Sequence, residues 1–207
     1  MKIIFDVGAN WGHSTLDLIT KTEDAICFAF EPTPKLIEHL KNEVAKRQIA
    51  DRYHIVEKAV SDFNGTSNFN IAGQADWGCS SLLEFSEGLD KTWPGRTDFR
   101  VTEKITVEVI TLEKYIEELS PTKIDKIDYF HCDTQGSDLK VLKGLGKYID
   151  LVEAGDIEVS AQNPLYKDQH TRDESIEFLE SHNFMITKLD PNDPHFNEFN
   201  LYFKKRH

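Results

Sequence analysis

Apolar and polar positions alternate along this chain with two different spacings. Short, mostly apolar runs at Ile3–Val7, Ala25–Phe30 and Tyr53–Val56 read as buried strands. Between them the spacing lengthens. Leu16 and Ile19 fall on one side of a short helical segment from Ser14 to about Ile19. Thr33 and Pro34 read as an N-cap followed by a proline at the first helical position, and Leu36, Ile37, Leu40 and Val44 share one face after them.

Helical spacing returns at Thr111, with Leu112, Tyr115, Ile116 and Leu119 inward. A strand over Ile127–Cys132 leads into a helix carrying Leu139, Leu142 and Leu145. Tyr148–Glu158 reads as a further strand broken by Gly155, then a helix runs from about Arg172 to His182. Two strands close the chain, near Phe184–Leu189 and Glu198–Phe203. The loop between them, "DPNDPHFNE", is too short for a parallel crossover, so this pair is expected to be antiparallel. The loop itself reads as an ordinary hairpin connection.

Strand–helix alternation predicts an α/β fold, with a mostly parallel sheet covered by helices on both faces. Residues at about 62–110 interrupt it with period-two stretches such as "KITVEVI" and a Gly/Ser loop, a β-rich insertion expected over the ligand end of the sheet. No internal repeat or low-complexity linker divides the chain, so 1–207 is read as a single domain.

Composition narrows the function classes. A hydrophobic fraction of 39% with 13 Phe argues for a packed core. Twenty-four Lys plus Arg against 36 Asp plus Glu give a net charge of -12, which disfavours nucleic acid as a partner. Cys27, Cys79 and Cys132 form no CxxC pair, and two of them lie in apolar runs, as reduced thiols do. No apolar run reaches the ~20 residues of a membrane span. With a strand already beginning at Ile3, no signal peptide is expected, and the expectation is a cytoplasmic protein.

The candidate chemistry begins at "FDVGANWGHS", where a strand turns into a helix. Gly8 and Gly12 would let a ligand approach the backbone, and the helix behind them offers unpaired N–H groups. A dinucleotide binder carries G-x-G-x-x-G, but Asn10 and His13 stand where its second and third glycines belong. Asp6 suits a ligand with an ammonium group, which S-adenosylmethionine has. Glu31, ending the second strand, is placed to accept hydrogen bonds from ribose hydroxyls.

Together with "FAFEPTPKLIEHLKN", "EKAVSDFNGT", "GCSSLLEF", "ITLEKYI" and "IDYFHCDTQGSDLKVLKGL", the opening motif resembles the FkbM-type methyltransferases, a branch of the class I S-adenosylmethionine-dependent enzymes. The resemblance implies a Rossmann-like seven-stranded sheet with an antiparallel last strand, and O-methylation of a sugar or small-metabolite hydroxyl. It implies that Asp6, Gly8, Asn10 and Gly12, in a loop shared with Ala9, hold the methionine end of the cofactor. Glu31 would hold the ribose, Pro32 would shape the adenine wall, and Ala59, Val60 and Ser61 would edge the adenine, with Asp62 toward its amino group. The family's Asp-x-Glu-Gly is here Asp133-Thr134-Gln135-Gly136, so Gln135 keeps length and hydrogen bonding but loses a charge.

A hydroxyl acceptor must lose a proton, which calls for a base or a metal. Asp133 and Glu158 end neighbouring strands, and His131 shares the face of Asp133, making these three the candidate catalytic cluster. An Mg2+ ion between Asp133 and Glu158 is the metal alternative, with no clear third ligand. In the insertion, Trp77 could stack on a sugar or adenine, and Gly78, Ser80 and Ser81 suit a mobile lid; Gln135 and Tyr166 complete the substrate candidates. Two other readings stay open, a non-catalytic S-adenosylmethionine-binding domain and an NAD-dependent oxidoreductase. The acceptor's identity and a homo-oligomeric state are not legible.

Overall fold

The computed structural model describes residues 1–73, 78–119, 124–161, 164–193 and 196–206. In chain order the elements are β1 (Lys2–Val7), α1 (Leu16–Lys21), β2 (Ala25–Phe30), α2 (Pro34–Arg47), β3 (Tyr53–Val56), β4 (Ala59–Val60), β5 (Gly65–Ala72), α3 (Leu89–Thr92), β6 (Val101–Ile110) and α4 (Leu112–Glu118). Then come β7 (Tyr129–Cys132), α5 (Asp138–Lys143), β8 (Ala154–Ser160), α6 (Arg172–Ser181), β9 (Phe184–Pro191) and β10 (Glu198–Lys205).

Among the described residues the main sheet has seven strands in the order β3-β2-β1-β7-β8-β10-β9. The first five pair in parallel, and β10 runs antiparallel to both β8 and β9, as the short last loop requires. Side chains alternate across β1, so its two faces enter different cores. Phe5 and Val7 join Phe28, Phe30, Phe130 and the helical leucines of α4 and α5 on one side. Ile4 packs with Leu16, Ile19, Leu40 and Val44 of α1 and α2 on the other. Burying these aliphatic and aromatic side chains contributes roughly 1.5–3 kcal/mol each, which fixes the β1 register. A one-residue slip would turn Asp6 toward Phe28 and Phe5 toward α1.

The expected insertion is a second, three-stranded sheet in the order β4-β6-β5. Its apolar face gathers Ala59, Phe69, Ile71, Val107 and Val109. Beyond it, Trp93, Leu165 and Tyr166 pack with Phe85 and Phe99, and Phe85 stacks on Tyr166 at 5.1 Å.

Three local expectations are corrected. Residues Gly146–Leu151 form a 3-10 helix rather than the start of a strand. Gly155 does not break β8; a Cβ there would lie 2.2 Å from the Phe130 carbonyl oxygen, so the glycine allows close strand packing. Thr33 precedes α2 but its hydroxyl makes no capping bond. Among the described residues no helix is long and apolar enough to cross a membrane, and none of the three cysteines is in a disulfide.

Candidate active site

The carboxyl ends of β1, β2 and β7 meet around a cleft. After β1 the chain turns through Gly8 (φ +86), Asn10 (φ +50) and Gly12 (φ +76). The glycines at 8 and 12 are required by the protein's own packing. A Cβ on Gly8 would lie 1.9 Å from the Asp133 carbonyl oxygen, and one on Gly12 2.5 Å from Leu16 Cδ1. Gly8 thereby lets the loop after β1 touch the loop after β7. The N–H groups of Gly8 and Ala9 both donate to the Phe30 carbonyl at 3.0 Å, tying the turn to β2.

Glu31 follows β2 and is buried. Its Oε2 accepts the Asn10 N–H at 2.9 Å and its Oε1 the Thr33 N–H at 2.8 Å. Burial pushes its carboxyl up, against the pull of these donors. Each carboxylate oxygen keeps a second lone pair. Glu31, Gly8, Asn10, Pro32 and Thr33 line a polar pocket that continues to Ser80, Asp133 and Gln135. Beside it lies an apolar pocket with Phe30, Pro32, Ala59, Val60, Leu82 and Ser137 in its wall.

Two oxygens on residues of these walls, Asn10 Oδ1 and Ser137 Oγ, are out of solvent and lack a protein partner. An unmade buried hydrogen bond costs about 1–3 kcal/mol, which a polar ligand reaching these atoms would recover.

The other sequence candidates divide. Asp6 is fully buried on the α1 face, outside these pocket walls, where it accepts the Thr15 hydroxyl; Thr15 Oγ1 also meets Tyr53 OH at 2.9 Å. Ala9 packs in the core beneath α1. Ala59 and Val60 reach the apolar pocket, whereas Asp62 is exposed and the Ser61 hydroxyl turns to it at 3.3 Å. Ser80 lines both pockets. Trp77 lies outside the described residues.

A second cluster closes the cleft at the β7 end. After β7 the chain turns back through Gln135 (φ +54) and Gly136 (φ +92), where a Cβ on Gly136 would meet the Tyr166 ring at 2.8 Å. Gln135 Nε2 donates to Asp133 Oδ1 and to Glu158 Oε2, both at 2.8 Å. Tyr166 OH donates to Gln135 Oε1 at 2.8 Å, and Ser81 Oγ to the Gln135 main-chain oxygen at 2.6 Å. Glu158 also accepts from Asn192 Nδ2. Asp133 is half-buried and lines the polar pocket; Glu158 is buried behind it. Burial raises both carboxyls, and the Gln135 bond and His131 pull that of Asp133 back.

Two expectations fall here. Gln135's amide stands between Asp133 and Glu158, and its N–H groups present positive charge where Mg2+ would need oxygen ligands, so these carboxylates do not fit the ion. Among the described residues no three His, Cys, Asp or Glu side chains group to hold a metal. The last hairpin is not a bare connection either. Asn192 reaches Glu158, and Glu198, opposite Ser160 in the register, lies on the same sheet face as Glu158. Burial and the charge of Asp133 push Glu198 up to about 7, and Asp138 likewise to about 7. Asn192, Glu198, Asp138, Ser137 and Lys58 escaped sequence reasoning; long-range pairing brings the first two here, while the other three sit close in sequence to Asp133 or Ala59.

His131 belongs to a different network. Its Nδ1 meets Asp156 Oδ2 at 2.7 Å and its Nε2 the Ser14 hydroxyl at 3.1 Å, while Tyr129 OH donates to Asp156 Oδ1 at 2.6 Å. Burial works to lower its pKa, but the Asp156 bond and the charges of Asp6 and Asp133 outweigh it and hold it at about 9. A raised pKa beside these aspartates suits the role of a counter-ion, and the hydrogen bond places His131 on Asp156.

Residues 6–189 match the family described as the methyltransferase FkbM domain. No curated protein matches the sequence. Among solved structures the chain is similar to a methyltransferase FkbM from Methylobacillus flagellatus KT, with a TM-score of 0.59 and 16% identity. That likeness covers 98% of this chain and 43% of the other, so this chain spans less than half of that protein. It is also similar to the magnesium protoporphyrin IX methyltransferase of Synechocystis PCC 6803, which was solved with S-adenosylmethionine bound. There the TM-score is 0.53 at 9% identity, over 98% of this chain and 69% of that one. At these identities the likeness is one of fold.

Proposed function

The chain belongs to the FkbM methyltransferase family, and from that premise we propose that it moves a methyl group from S-adenosylmethionine to a hydroxyl of a sugar or small-metabolite acceptor. The observation that carries the reading is the cleft itself. An apolar slot walled by Phe30, Pro32, Ala59, Val60 and Leu82 adjoins a polar pocket that holds the buried Glu31 and a half-buried carboxylate, Asp133.

Glu31 would hold the ribose hydroxyls, Ala59, Val60 and Pro32 the adenine faces, and Asn10 and Thr33 the polar parts between. The cofactor, when bound, supplies a methyl group on a positively charged sulfur, which needs no further activation. What remains for the protein is to align the acceptor, exclude water and take a proton. Asp133 is the residue placed for the last task. One of its oxygens is held by Gln135, and its carboxylate borders the cleft.

Asp133→Asn tests this. S-adenosylhomocysteine production is followed with a panel of sugar and alcohol acceptors, and cofactor affinity by titration calorimetry. A lost general base lowers turnover by about a hundredfold or more while cofactor affinity stays near native. An Asp133→Asn protein that turns over at the native rate removes Asp133 from the role.

A further inference from the structure

We propose that Gln135 is the positioning residue of this site, and that its side-chain amide does for Asp133 and Glu158 what a divalent cation does in a carboxylate centre. It binds one oxygen of each carboxylate and leaves Asp133 to present its other oxygen to the cleft. The inference deepens the reading of this cleft as a methyl-transfer site and rests on it.

The geometry comes from four partners at once. The two hydrogens on Nε2 are spent on Asp133 Oδ1 and Glu158 Oε2, each at 2.8 Å. The Tyr166 hydroxyl takes up Oε1 at 2.8 Å, and Ser81 takes up the main-chain oxygen. Turning the amide over would set its oxygen against the oxygens of Asp133 and Glu158, so these two partners assign its orientation. The residue is also pinned from below, since the left-handed turn at Gln135 and Gly136 packs on the Tyr166 ring.

Charge explains why an amide is needed. Asp133, Glu158, Glu198 and Asp138 converge here: Asp133 raises the other three carboxyls, and Glu198 and Asp138 also raise Glu158. His131 and Asp156 act on Asp133 from β7 and β8, Asp6 couples to it from β1, and Arg96 acts on Glu198 from the inserted segment. A glutamate at 135 has the same length and would place a third carboxylate between Asp133 and Glu158. Three converging carboxylates are the oxygen-rich setting that hard divalent cations take. Gln135 instead joins the two carboxyl groups by N–H donors, which require no ion.

The test uses the full chain without any acceptor. Mn2+ is titrated into native protein, Gln135→Glu and Gln135→Met, and binding is read from the electron paramagnetic resonance signal of the free ion. Gln135→Glu is expected to bind Mn2+ roughly a hundredfold or more tightly than native protein and Gln135→Met, because only it adds a third hard ligand. Stoichiometric Mn2+ binding by native protein overturns the proposal, and so does a folded Gln135→Glu with no gain.

Should Gln135→Glu not fold, the native Gln135 side-chain amide protons decide by nuclear magnetic resonance. Slow exchange with solvent supports the double bond to Asp133 and Glu158, and exchange at the rate of an exposed glutamine removes it. S-adenosylmethionine titrated into the same native sample reports separately on the cofactor reading.

Discussion

Glu31→Ala separates cofactor binding from folding more sharply than other single changes. The native carboxylate is buried, takes one backbone N–H on each oxygen at 2.8–2.9 Å, and faces the cleft with the remaining lone pairs. Hydrogen bonds to a charged group contribute about 1.5–3 kcal/mol. At about 1.4 kcal/mol per tenfold, the loss of ribose contacts predicts about a ten- to hundredfold weaker affinity for S-adenosylmethionine. On the folding side, the Asn10 and Thr33 N–H groups lose their acceptor, at about 1–3 kcal/mol each. Removing a carboxylate whose burial already raises its pKa offsets part of that. The net fall in stability should therefore be no more than a few kcal/mol. The assay is calorimetric titration of native and Glu31→Ala protein with S-adenosylmethionine, beside thermal melts of both. A folded Glu31→Ala that binds with native affinity would refute the ribose assignment.

Gly8→Ala should destabilise the fold by about 3 kcal/mol or more, since it adds a Cβ at positive φ and drives it against the Asp133 carbonyl; urea unfolding checks this, and a near-native midpoint contradicts it. His131 gives a pH test. Its folded pKa of about 9 lies above the ordinary 6.5, so its contribution is whole below about pH 6.5 and is lost as pH rises through 9. That rise corresponds to up to about 3 kcal/mol. Native melting temperature should thus fall from pH 6.5 to 9.5 by more than that of His131→Gln, and parallel curves would contradict it. Tyr166→Phe removes the hydroxyl that sits 2.8 Å from Gln135 Oε1 and 2.9 Å from the Cys79 carbonyl, and should cost about 1–2 kcal/mol in a thermal melt; an unchanged melt contradicts it.

What was legible in the sequence is what local spacing controls. The apolar runs of β1 and β2, the Leu36–Val44 face of α2 and the antiparallel return of β10 all follow from residues close in sequence. The errors lie where distant backbone decides. Gly155 reads as a strand breaker, but a carbonyl 25 residues away, that of Phe130, demands it. Thr33 stands at the capping position of α2, yet its hydroxyl makes no cap bond and its N–H serves Glu31.

The active-site cluster follows the same division. Asp133 and Glu158 are recognisable as strand-end carboxylates. That Gln135 joins them is set by the turn after β7 and by Tyr166, 31 residues on. Asn192 and Glu198 enter through the pairing of β10 with β8, which no periodicity within their own hairpin could reveal.

The most direct test of the central claim is calorimetric titration of the native protein with S-adenosylmethionine, S-adenosylhomocysteine and NADH. The cleft around Glu31, Asn10, Thr33 and Ser137 predicts micromolar binding of the first two and none of NADH. Silence toward both sulfur compounds, or binding of NADH in their place, would contradict it.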